Sequence, residues 1–165
     1  MGLVLIGFKG CGKTSVAKAC ATDFVDLDSL IIKQHQSIKN EVLTCSEIYR
    51  TYGAQYFLNL EKNIIQQLPY VRDRIIATGG GSVMDLENVE CLRRHGKFIY
   101  LHASHDVLFA RLQTVPAFLN VENLYEEFLQ LYNQRETIYR KIANRIILTD
   151  HKSIIELACE LSEVE

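Results

Sequence analysis

Two residues able to grip a phosphate, Lys13 and Thr14, follow Gly12 directly, and Gly7 opens the same loop. GFKGCGKT fits the spacing G-x-x-x-x-G-K-[ST] at every fixed position. Glycines at 7, 10 and 12 remove Cβ atoms, so backbone N–H groups can close on phosphate oxygens. A helix starting near Lys13 adds its positive N-terminal end. In such a loop the lysine reaches the β- and γ-phosphates of a nucleotide, and the Thr14 hydroxyl sits on Mg²⁺. Two further stretches carry chemistry. FVDLD places carboxylates at Asp26 and Asp28. One can serve the Mg²⁺ shell, and the other can orient a substrate hydroxyl for attack. RIIATGGGS ends in three consecutive glycines, Gly79, Gly80 and Gly81. Their entropic cost suggests close approach of a small ligand to bare backbone.

Each stretch has a plainer reading. The first can be a glycine-rich turn, Asp28 can simply cap a helix over 29–36, and the triplet can be a flexible turn. The order of elements favours the chemical readings. LVLI runs straight into the loop, and a helix is expected over 12–22. FVDLD is followed by a helix over 28–36, RIIATG by one over 86–95, KFIYLHA by one over 104–112, and RIILTD by one over 152–163. Strands separated by helix-length segments imply parallel pairing through crossovers. The expected fold is α/β, a three-layer five-stranded parallel sheet covered on both faces, which suits runs such as RIILTD that do not alternate. Residues 44–68 read as two helices broken at Gly53, the first capped by Thr44 or Ser46. Tyr56, Leu60 and Ile64 make their core stripe, with Phe57 beside it and Glu61 just off it. Leu124, Phe128, Leu131, Ile138 and Ile142 mark the buried face of a helix within 122–142.

Composition bounds the function. The chain has 165 residues, 48% hydrophobic and 23% charged, enough for one globular domain with a real core. A net charge of −2 makes no electrostatic case for nucleic acid. No apolar run approaches the ~18 residues of a membrane span, and the apolar start is too short for a signal peptide. Five scattered cysteines, at 11, 20, 45, 91 and 159, suggest reduced thiols in the cytoplasm. Cys91 with His95 and His102 with His105 have no matching second ligand pair, so no metal site is expected from them.

GFKGCGKT, FVDLD and ATGGG, in this order in a chain of this length, resemble shikimate kinase over nearly the whole sequence. The resemblance implies a P-loop kinase fold with strand order 2-3-1-4-5. It implies transfer of the ATP γ-phosphate to the 3-hydroxyl of shikimate, a step of aromatic amino-acid (chorismate) biosynthesis. It casts Lys13 and Asp28 as the catalytic groups. Gly10, Cys11, Gly12, Lys13, Thr14, Ser15 and Arg111 become the ATP site, with Arg111 packed against the adenine. Asp28, Gly79, Gly80, Gly81 and Arg135 become the shikimate site, Arg135 taking the carboxylate. Thr14 and, through water, Asp26 organise Mg²⁺. The implied organisation is a single domain over 1–165, with a lid at about 112–121 and a substrate-binding helical segment at about 29–68. A monomer in the cytoplasm, with ATP and shikimate as its only partners, is expected.

Three departures from the family pattern stand out. Leu58, between Phe57 and Glu61, replaces an arginine that helps hold the shikimate carboxylate. Val115, before Pro116, replaces a lid arginine, and no Lys or Arg occurs from Leu112 to Gln134. The stretch from Lys13 to Asp26 is short, so a trimmed first helix is expected. One lost charge-assisted hydrogen bond, worth about 1.5–3 kcal/mol, weakens binding roughly ten- to a hundredfold. Lys9, Arg50, Lys62, Arg93 and Arg94 are candidate replacements. Two other functions stay open: a kinase for another hydroxy compound such as gluconate, and a nucleotide-binding protein without turnover.

Overall fold

The computed structural model describes residues 2–20, 23–112, 119 and 122–164. Its centre is β1 (Leu3–Ile6), whose Val4, Leu5 and Ile6 are fully buried. β1 pairs in parallel with β3 (Ile75–Ala77) on one side and β4 (Lys97–His102) on the other. β2 (Phe24–Asp26) joins the outer side of β3, and β5 (Arg145–Leu148) the outer side of β4. The sheet therefore runs β2-β3-β1-β4-β5, all parallel, as expected.

Helices fill the crossovers. α1 (Lys13–Cys20) is eight residues long and buries Val16 and Ala17. α2 (Leu27–Lys39) and α3 (Cys45–Gln67) pack together around a small second core of Ile31, Ile48 and Leu60. Thr44, not Ser46, caps α3, in a reciprocal capping box with Glu47. Gly53 interrupts α3 at φ 84°, where the glycine break was expected. α4 (Leu86–Arg93), α5 (His105–Ala110), α6 (Leu124–Ile142) and α7 (Ile154–Ser162) complete the layers. None of the helices is long and apolar enough to cross a membrane, among the described residues.

Three local expectations change. RIILTD does not lie in a doubly covered strand: Arg145, Ile146 and Leu148 of β5 are exposed, because β5 is an edge strand. The buried face of α6 is carried by Phe128 together with Tyr132 and Tyr139, and Ile138 is only half-buried. Glu61, placed just off the apolar stripe, is itself buried at 3% exposure.

This topology fixes the site. The chain leaves β1 towards β2 and leaves β3 towards β4, so the two connections run in opposite directions from the carboxyl ends of neighbouring strands, and right-handed crossovers carry them to opposite faces of the sheet. Such a switch point opens a crevice. Here the loop after β1 and the glycine triplet after β3 form its two walls.

Candidate active site

The loop 7–12 wraps the start of α1. Gly10 and Gly12 have φ of 90° and 99°, a left-handed conformation that glycine adopts without strain. Lys13 is buried, and its ammonium donates to the carbonyl oxygens of Gly7 (2.8 Å) and Phe8 (3.0 Å). Cys11 lies beneath the loop, 1% exposed. Gly10, Gly12, Lys13, Thr14 and Ser15 line a cleft of about 930 Å³. Arg111 sits on the other side of the loop. It donates to the Gly10 carbonyl at 3.1 Å and lines a separate hollow of about 380 Å³ with Ser15, Thr149 and Ile154.

β2 ends at Asp26, and the next residue opens α2. The two acids therefore do not share a strand face. Asp26 is the helix cap: its Oδ1 accepts from the Ser29 amide at 2.9 Å. Its Oδ2 accepts from the Thr14 hydroxyl at 2.6 Å. Asp28, released from capping, lies in the first helical turn and lines the cleft. The residue is exposed, yet the surrounding protein still desolvates its carboxyl. Burial therefore raises its pKa, against the opposing charge of Lys13 and with a further push from Asp26.

The glycine triplet forms the facing wall. A Cβ on Gly79 would meet Asp28 Oδ1 and Ser82 Oγ at 3.0 Å and Glu61 Oε1 at 3.3 Å. A side chain there would have to push these oxygens aside by a few tenths of an ångström. On Gly80 a Cβ would stand 3.3 Å from Arg135 Nη1, and on Gly81 3.5 Å from Nη2. The Arg135 guanidinium lies 5.4 Å over the Phe8 ring, itself packed edge-on against Phe128 at 5.2 Å. The triplet thus has an acidic end at Gly79 and a basic end at Gly80 and Gly81.

Sequence reading missed several members of this wall. The Ser82 hydroxyl donates to Glu61 Oε1 at 2.6 Å. Burial raises the Glu61 pKa to about 6, with that hydrogen bond opposing the shift. Tyr139, buried on α6, donates its hydroxyl to the Gly80 carbonyl. Cys45 lines the cleft, as does the Leu58 already named. Burial pushes the Cys45 thiol up to about 12, so it stays protonated. Ser82 adjoins the triplet, which was the only available signal. Nothing in the local sequence ties Tyr139 to Gly80. No cluster of three or more His, Cys, Asp or Glu residues able to hold a metal occurs among the described residues. Val115, Pro116 and most of the expected lid at 112–121 lie outside the described residues.

Comparison with known proteins decides the family. The family model described as "Shikimate kinase" matches residues 9–164. The chain belongs to the shikimate kinase family. Family members are ATP-dependent kinases that phosphorylate an alcohol. A shikimate kinase of Thermodesulfovibrio yellowstonii is 38% identical over 145 residues, covering 84% of this chain and 80% of its own. One from Caldanaerobacter subterraneus subsp. tengcongensis is 33% identical over 165 residues, 96% and 92% of the two chains. Among solved structures, the shikimate kinase from Acinetobacter baumannii in complex with shikimate superposes with a TM-score of 0.86. It is 25% identical and covers 99% of this chain and 91% of its own. Five parallel strands in the order seen here belong to the P-loop kinase fold of this shikimate kinase family.

Proposed function

We propose that the protein transfers the γ-phosphoryl group of ATP to the 3-hydroxyl of shikimate. One observation carries the reading: the glycine triplet, beside the phosphate loop, holds a carboxylate at one end and a guanidinium at the other. Shikimate has the matching polarity, a carboxylate on one side of its ring and hydroxyls on the other. Arg135 takes the carboxylate in the planar pairing that guanidinium favours. The hydroxyls then face Asp28.

In this reading Asp28 accepts the hydrogen bond of the attacking hydroxyl and takes its proton as the oxygen bonds to phosphorus. The bond from γ-phosphorus to the bridging oxygen breaks, and ADP leaves. The desolvated carboxyl suits a base that must compete for a hydroxyl proton. Lys13 follows the charge as it moves between the phosphates, and loop amides hold their oxygens. Arg111 flanks the adenine. Thr14 and Asp26 present two hard oxygen donors 2.6 Å apart beside the loop, a donor set that fits Mg²⁺. When bound there, Mg²⁺ neutralises phosphate charge.

ADP release by purified protein with ATP and Mg²⁺, with and without shikimate, tests the reading. Shikimate-dependent ADP formation is expected. ATP binding without shikimate-dependent turnover, or turnover that requires gluconate instead, overturns it.

A further inference from the structure

Among the described residues, the cleft holds one cation that the roles above leave unused. Lys9 sits in the middle of the phosphate loop, at a position where the phosphate-binding spacing demands no residue type. Its side chain is exposed and lines the same cleft as Asp28 and Arg135. Its backbone nitrogen would stand 3.3 Å from a Cβ on Gly80, the glycine that also adjoins Arg135 Nη1. The Lys9 backbone and the Arg135 guanidinium therefore both adjoin Gly80. The charge of Lys9 is felt at Asp28.

The other candidate cations are occupied or placed elsewhere. Lys62 bridges Glu87 at 2.8 Å and Asp85 at 3.5 Å. Arg93 pairs with Glu90 at 3.8 Å and lies over Phe98. Arg94 donates to the Cys91 sulfur at 3.2 Å. Arg50 does not line the cleft. Lys13 is held by the loop carbonyls. No hydrogen bond or ion pair holds the Lys9 ammonium among the described residues. Leu58 of α3, which also lines the cleft, presents an exposed apolar side chain, 48% accessible.

We propose that Lys9 is a specificity residue for the acceptor: its ammonium pairs with the acceptor's carboxylate beside Arg135, so the phosphate loop itself selects anionic acceptors. The inference rests on the kinase reading above. It makes one loop serve two ligands. Backbone amides and Lys13 face the nucleotide, and Lys9 faces the acceptor. A lysine on a flexible stem gives a point charge without fixed geometry. Its pairing should therefore weaken with salt, and arginine should replace it.

Calorimetric binding to the full chain tests this. Lys9→Met should weaken shikimate binding about tenfold, the value of one charge-assisted hydrogen bond in a partly open site. Lys9→Arg should stay within about threefold of the wild type. The methyl ester of shikimate, which lacks the charge, should bind wild type and Lys9→Met alike. The KM for ATP should be the same in all three proteins, which also reports that Lys9→Met is folded. Equal shikimate affinity in wild type and Lys9→Met overturns the assignment. So does an equal loss on the ester, or a matching loss for ATP. Failure of the wild type to bind shikimate overturns the functional reading instead.

Discussion

The Thr14 hydroxyl donates to Asp26 Oδ2 at 2.6 Å, joining the first turn of α1 to the end of β2. The other oxygen of the same carboxylate caps α2. Asp26 thus ties the phosphate loop to the helix that carries Asp28. α1, eight residues or just over two turns long, lies between them in sequence.

Asp26 should therefore show a double phenotype. Asp26→Ala removes a helix cap and should cost about 1 kcal/mol of stability. It should also raise the Mg²⁺ concentration for half-maximal activity about ten- to a hundredfold, the range for losing a partner of a metal site. Thermal melts and Mg²⁺ titrations read the two effects separately. A stability loss with unchanged Mg²⁺ dependence would leave Asp26 as a cap alone.

Asp28 should set the acid limb of the pH profile. Its pKa is raised by burial, so the protonated, inactive form persists to higher pH than for a solvated aspartate. kcat/KM for shikimate should rise with pH as Asp28 ionises. Asp28→Asn should lower kcat by roughly 10²–10⁴ and abolish that limb. Retention of the limb in the variant would assign it to another group.

Glu61 should destabilise the fold at neutral pH. Its folded pKa of about 6 exceeds the unfolded value near 4.5. Between those values the folded protein keeps a proton that the unfolded chain has lost. The stability linked to that proton is complete below about 4.5 and lost as pH rises through about 6. Glu61→Gln keeps an oxygen to accept from Ser82 and carries no charge. It should be more stable than wild type at pH 8, by at most ~2 kcal/mol for a shift of this size, and equal to it near pH 4.5. A stability difference independent of pH would refute this account.

What was legible in the chain is what short-range spacing encodes. GFKGCGKT after LVLI specified the phosphate loop, because a strand, three glycines and a helix start act within a dozen residues. Alternating strand and helix segments specified a parallel α/β sheet, because a helix-length crossover returns each strand in the direction of the last. Asp26 and Asp28 were legible as a pair. Their division of labour was not, because it depends on where the strand stops: ending β2 at Asp26 turns that residue into the cap and frees Asp28. The rest of the site was decided by tertiary structure. Glu61 meets Ser82 across 21 residues, Tyr139 meets Gly80 across 59, and Arg111 meets Gly10 across 101. Local propensity carries no information about such meetings. They exist because the sheet order sets β3 beside β1 and lays α6 over their carboxyl ends, bringing Lys9 and Arg135 to one glycine.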